Sequence, residues 1–97
     1  MFLEVDRGTE GQRIWRKKVE EYLRLAASGE FAKRFARERF RVLVVVNSER
    51  RAQSIRKTVT QITDKIFWFT TFPSINDEGF WSAIWQRLEE DQRLPLF

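Results

Sequence analysis

At 97 residues, 42% of them hydrophobic, the chain is long enough for one small domain with a single core and little apolar surplus. It has no cysteine and no histidine. This excludes disulfides, thiolate metal sites, a thiol nucleophile and the commonest general base, and it leaves oxygen ligands and a hard cation such as Mg2+ or Mn2+ as the route to metal chemistry. The longest apolar run, Val42 to Val46, is far too short to cross a bilayer, and no secretory signal is recognisable. A cytoplasmic protein with no membrane partner is the expectation.

The chain opens on Phe2-Leu3-Glu4-Val5-Asp6, an alternating strand that should send Leu3 and Val5 into the core and Glu4 and Asp6 to one shared face. Gly8 and Thr9 break it. Apolar residues at Ile14, Trp15, Val19, Tyr22, Leu23 and Ala26 predict an amphipathic helix over 10–28, with Thr9 as N-cap and Ser28-Gly29 as stop. Residues 30–38 read as a further helical turn. Val42-Leu43-Val44-Val45-Val46 is apolar on both faces, the mark of a central parallel strand. Asn47-Ser48 then caps a second helix over about 49–62, with Ala52, Ile55, Val59 and Ile62 inward and Arg50, Arg51, Arg56 and Lys57 outward.

Ile66 to Phe72 reads as a third strand ended by Pro73, and Asn76-Asp77-Glu78-Gly79 as a turn. Phe80 to Arg87 fits either a short strand or a helical turn. Residues 1–90 form one domain in this reading, and 91–97 a C-terminal tail in which Leu94, Leu96 and Phe97 could dock. The βαβαβ order implies an α/β fold: a small two-layer or three-layer sandwich on a mainly parallel sheet of three to four strands. Neither GxGxxG nor GxxxxGK[ST] occurs, which argues against a dinucleotide-binding or P-loop domain.

Charge is unevenly spread. Between Lys33 and Lys57 nine basic residues face two glutamates, and the chain as a whole carries +4. Lys33, Arg34, Arg37, Arg39, Arg41, Arg50, Arg51, Arg56 and Lys57 are therefore candidate phosphate contacts, with DNA the expected partner; exposed helical arginines that only solvate a surface are the plain alternative. Trp81 and Trp85, four residues apart, are either core, base-stacking platforms or a subunit contact.

Two carboxylates on one strand face, Glu4 and Asp6, with Lys18 and Tyr22 four apart on the next helix, form a constellation able to hold a divalent cation against a phosphodiester. Alternatively, Asp6 caps the turn at Gly8-Thr9 and Glu4 pairs with a nearby cation. Glu10 is a first-turn acid that could reach the same place.

The block Glu4-Val5-Asp6-Arg7-Gly8-Thr9, the Lys18-x3-Tyr22 pair and the hydrophobic strand followed by Ser48-Glu49-Arg50-Arg51 resemble the C-terminal half of the replication-relaxation family, over Phe2 to about Trp85. That resemblance implies a partial restriction-endonuclease-like, PD-(D/E)XK core joined to an upstream winged helix, in a plasmid or mobile-element replication setting. Its implied site has Glu4 and Asp6 as ligands of Mg2+ or Mn2+ and Lys18 as the displaced catalytic lysine, since Asp6 stands where that lysine usually does. The strand carrying the superfamily's first acid would lie upstream of Met1, so the chain alone is expected to cleave little or not at all. The alternative is a non-catalytic homo-oligomerisation or interaction module, with a homodimer formed through an exposed strand edge.

Overall fold

Hydrophobic period decides the first two thirds of the chain, and the structure, a computed structural model, describes residues 2–27, 41–63, 66–88 and 91–96. Strand β1 (Phe2–Asp6) leads to helix α1 (Gln12–Ala27), then β2 (Val42–Val46), helix α2 (Glu49–Thr60) and β3 (Phe67–Thr71). A short helix α3 (Phe72–Glu78) and strands β4 (Trp85–Arg87) and β5 (Arg93–Leu94) complete the described elements. The sheet runs β1-β2-β3-β4-β5. β1, β2 and β3 are parallel and in step, with Glu4 beside Val44 and Val44 beside Phe69, whereas β4 pairs antiparallel with β3, and β5 antiparallel with β4. The domain is thus α/β, but among the described residues its sheet is mixed and has five strands, not mainly parallel with three or four.

The helices α1 and α2 cover one sheet face. Trp15 and Val19 from α1 and Ala52, Ile55 and Val59 from α2 close over Val42, Val44, Val46, Phe67 and Phe69. On the other face Leu43, Val45 and Trp68 cluster with Trp85 of β4, Ile84 and Leu96, with Phe72, Ile75 and Phe80 at the margin. β2 and β3 are buried along their full length because both layers meet over them.

β1 departs from the expected pattern. Among the described residues it is an edge strand, covered on the helix side alone, and Leu3 and Val5 are 58% and 41% exposed while Asp6 is buried. The acids occupy the covered face and the aliphatics the open one. Ile14 is likewise 48% exposed, lying outside the stripe made by Trp15, Val19 and Tyr22.

The helix starts also differ in detail. α1 begins at Gln12, and the carbonyl of Gly11, not Thr9, accepts the first helical bond from the Trp15 amide at 3.1 Å. Ser48 caps α2 as expected, its hydroxyl accepting the Arg51 amide at 3.2 Å. Where a turn is expected at 76–79, α3 follows β3 without a gap: Thr71 is its N-cap, Pro73 sits in its first turn where no amide is missed, and Gly79 ends it at φ +92°. Of 80–87, residues 85–87 are strand. Residues 91–96 are not a separate tail, since β5 pairs with β4 and Leu96 is buried. The helical turn expected over 30–38, the stop at Ser28-Gly29 and the candidates Lys33, Arg34, Arg37 and Arg39 lie outside the described residues.

Candidate functional site at the edge of the sheet

The parallel β1-α1 unit brings Glu4, Asp6, Glu10, Lys18 and Tyr22 together, because α1 lies along the inner face of β1 and places Trp15, Lys18 and Tyr22 above it at helical spacing. Within that group the two strand acids do different things. Glu4 is part-exposed: Tyr22 Oη donates to its Oε1 at 2.6 Å and Lys18 Nζ to its Oε2 at 3.0 Å. The same ammonium donates to Glu10 Oε1 at 2.8 Å and lies 5.3 Å from the Trp15 ring centre. Tyr22 is held by an edge contact to Phe67 and a tilted one to Phe2.

Asp6 is enclosed. Its Oδ1 accepts from the Gly8 amide at 2.7 Å and from Arg51 Nε at 2.9 Å; its Oδ2 accepts from Trp15 Nε1 at 2.8 Å and from Arg51 Nη2 at 3.0 Å. Four donors fill the roughly four lone-pair directions of a carboxylate, so no direction remains for a metal ion. Arg51 Nη2 also donates to the Glu10 carbonyl. One buried carboxylate thereby ties the end of β1 to the start of both long helices. Gly8 makes this geometry: its φ of +85° is the left-handed turn that returns the amide to Asp6.

The protonation behaviour follows. Burial alone would raise the Asp6 pKa, but hydrogen bonds from Arg51, Trp15 and Gly8 and the Arg51 charge outweigh it and hold the carboxyl below its ordinary 3.8. Burial works against the Lys18 ammonium too, and bonds to Glu10 and Glu4 overcome it, raising the pKa above the ordinary 10.5. Arg51 is raised first of all by its bond to Asp6. Tyr22 is pushed up by burial, by its bond to Glu4 and by the charges of Glu4 and Glu21, so it remains a donor at neutral pH.

The Asp6 contribution is present above the unfolded carboxylate value and is lost as pH falls through the lower folded value; the Lys18 contribution is present below the ordinary lysine value and is lost as pH rises through the raised folded one. Stability should therefore be flat between about pH 5 and 9 as far as these two groups are concerned, and should fall below about pH 4. Urea midpoints measured across pH check this: the acid-side fall should flatten in Asp6→Asn.

The other sequence candidates separate as well. Arg56 is not on the outer face: it is 6% exposed, donates to the carbonyls of Arg87 (2.9 Å) and Leu88 (3.2 Å), and clamps α2 to β4. Arg51 belongs to the Asp6 cluster, and Arg41 lies over the Trp68 ring at 4.6 Å. Arg50 and Lys57 are exposed, as are Arg7, Arg13, Arg16, Lys17 and Arg24.

Two partners were readable in principle. A tryptophan on an inward helix stripe needs an acceptor for its indole N–H, and Asp6 was near in sequence; and Arg56 stands four residues after Ala52 and three before Val59, on the inward stripe itself. Among the described residues no group of three or more acidic side chains could hold a metal ion. Glu4 is thus the one acid of the strand pair with room for a ligand, and Lys18 the cation beside it. Comparison with family models, with curated proteins and with solved structures finds no match to the chain.

Proposed function

We propose that the chain is a nuclease-like α/β domain of a replication or mobile-element control protein, and that it binds DNA through the exposed side of its two long helices without cutting it. The observation that carries this reading is the charge of that helical layer. Arg13, Arg16, Lys17 and Arg24 of α1 and Arg50 and Lys57 of α2 are exposed there, against the exposed acids Glu20, Glu21 and Glu49. Glu49 is itself engaged by Arg93, whose Nη2 donates to its Oε1 at 2.8 Å, so its charge is balanced without drawing on the helical cations.

The resemblance to the replication-relaxation family supplies the setting, and the Glu4–Lys18–Tyr22 cluster is compatible with a nuclease-like ancestry. A Mg2+ or Mn2+ ion held jointly by Glu4 and Asp6 does not fit this arrangement, because the four donors on Asp6 occupy it.

Fluorescence anisotropy with a short labelled duplex tests the binding. If about four phosphates are neutralised, affinity should fall on the order of 10²-fold between about 50 and 200 mM salt, and Arg50→Ala and Lys57→Ala should each flatten the salt slope by about one. A flat salt response sinks the DNA reading. Nicking of plasmid DNA with Mg2+ or Mn2+ that Glu4→Ala abolishes would overturn the absence of cleavage.

A further inference from the structure

Among the described residues β1 is hydrogen-bonded on one side only, to β2. The Phe2 amide donates to the Arg41 carbonyl at 2.9 Å, and the alternation of a parallel ladder then turns the amides and carbonyls of Leu3 and Val5 outward, to the free edge. On the sheet face away from α1 the same two residues expose their side chains, beside the buried Leu43 and Val45. On the helix face, α1 and β1 enclose a cavity of about 330 Å3 lined by Phe2, Glu4, Lys18, Glu21, Tyr22 and Leu25. Among the described residues its lining comes from β1 and α1 alone, none of it from β2 or α2. Among the described residues it holds two carboxylates, those of Glu4 and Glu21, and one ammonium, that of Lys18, which is shared with Glu10.

We propose that this edge takes up an extended segment of another polypeptide in which a lysine or arginine is flanked by apolar residues. Residues directly opposite in paired strands share a face. A basic residue opposite Glu4 enters the groove between Glu4 and Glu21, and its apolar neighbours cover Leu3 and Val5 while main-chain bonds form along the edge. An acidic segment would set a further carboxylate against Glu4. A second copy of β1 has the same defect: antiparallel pairing centred on Glu4 sets Glu4 against its own copy, and pairing centred on Val5 sets Glu4 against Asp6.

The test uses the full isotope-labelled chain and two peptides, T-V-K-V-K-V-T and T-V-E-V-E-V-T, followed by amide shifts and hydrogen exchange. In the free protein the Leu3 and Val5 amides should exchange freely; the lysine peptide should shift and protect them, binding at least roughly tenfold more tightly than the glutamate peptide. Val5→Pro, which removes an outward amide from an edge strand, should abolish binding and leave the remaining spectrum intact. Glu4→Gln should remove most of the preference for lysine. Protection of both amides without peptide, equal binding of the two peptides, binding that survives Val5→Pro, or a dimer that Val5→Pro disperses would each overturn the proposal.

Discussion

Asp6→Ala should be among the most damaging single substitutions in this chain, costing about 3 kcal/mol or more. It removes the acceptor of two Arg51 bonds, of the Trp15 indole and of the Gly8 amide in one step. Breaking a buried pair by deleting one partner costs about 3–5 kcal/mol, and the partial exposure of Arg51 favours the lower part of that range. A domain of this size has only about 5–15 kcal/mol in all, so the melting temperature should drop by on the order of 10–20 °C. Denaturant unfolding of Asp6→Ala, Arg51→Ala and the double variant checks this, and the single effects should be strongly non-additive. An acid retained for metal binding would behave in the opposite way: its removal would leave stability unchanged or raised.

Trp85→Ala should cost about 3–5 kcal/mol through the second core. Trp85, the first residue of β4, is fully buried, its indole donates to the Phe80 carbonyl at 2.9 Å, and its ring meets that of Phe80 edge-on at 5.3 Å. Truncation opens a cavity in the cluster that Trp85 shares with Leu43, Val45, Trp68, Ile84 and Leu96. Trp81→Ala is the control. That ring is 60% exposed, and its loss should cost about 1 kcal/mol or less by thermal unfolding. Equal losses at the two positions would mean that the outer layer is not organised around Trp85.

The two tryptophans also show what the amino-acid pattern could and could not reveal. Spacing alone treats Trp81 and Trp85 as equivalent, and only the antiparallel return of β4 against β3 separates them. The β1-α1-β2-α2-β3 order was legible because its apolar periods are long and Ser48 is a standard cap for α2. The C-terminal third was not, because α3 has seven residues, β4 three and β5 two, too few for a period to register. Alternation in β1 showed that Leu3 and Val5 share a face but not which face would be covered, since that depends on where the outer layer stops.

In the candidate site, the meeting of Glu4, Lys18 and Tyr22 was legible from strand and helix geometry. The diversion of Asp6 to Arg51 was not, because it spans 45 positions and depends on two helix starts converging.

Chemical-shift mapping of the labelled chain with a short DNA duplex, at low and then moderate salt, bears most directly on the proposed role. The expected result is a contiguous set of salt-sensitive shifts at Arg13, Arg16, Lys17, Arg50 and Lys57, with the Asp6–Arg51–Trp15 cluster undisturbed. Shifts confined to the β1 edge, or none at all, would contradict it.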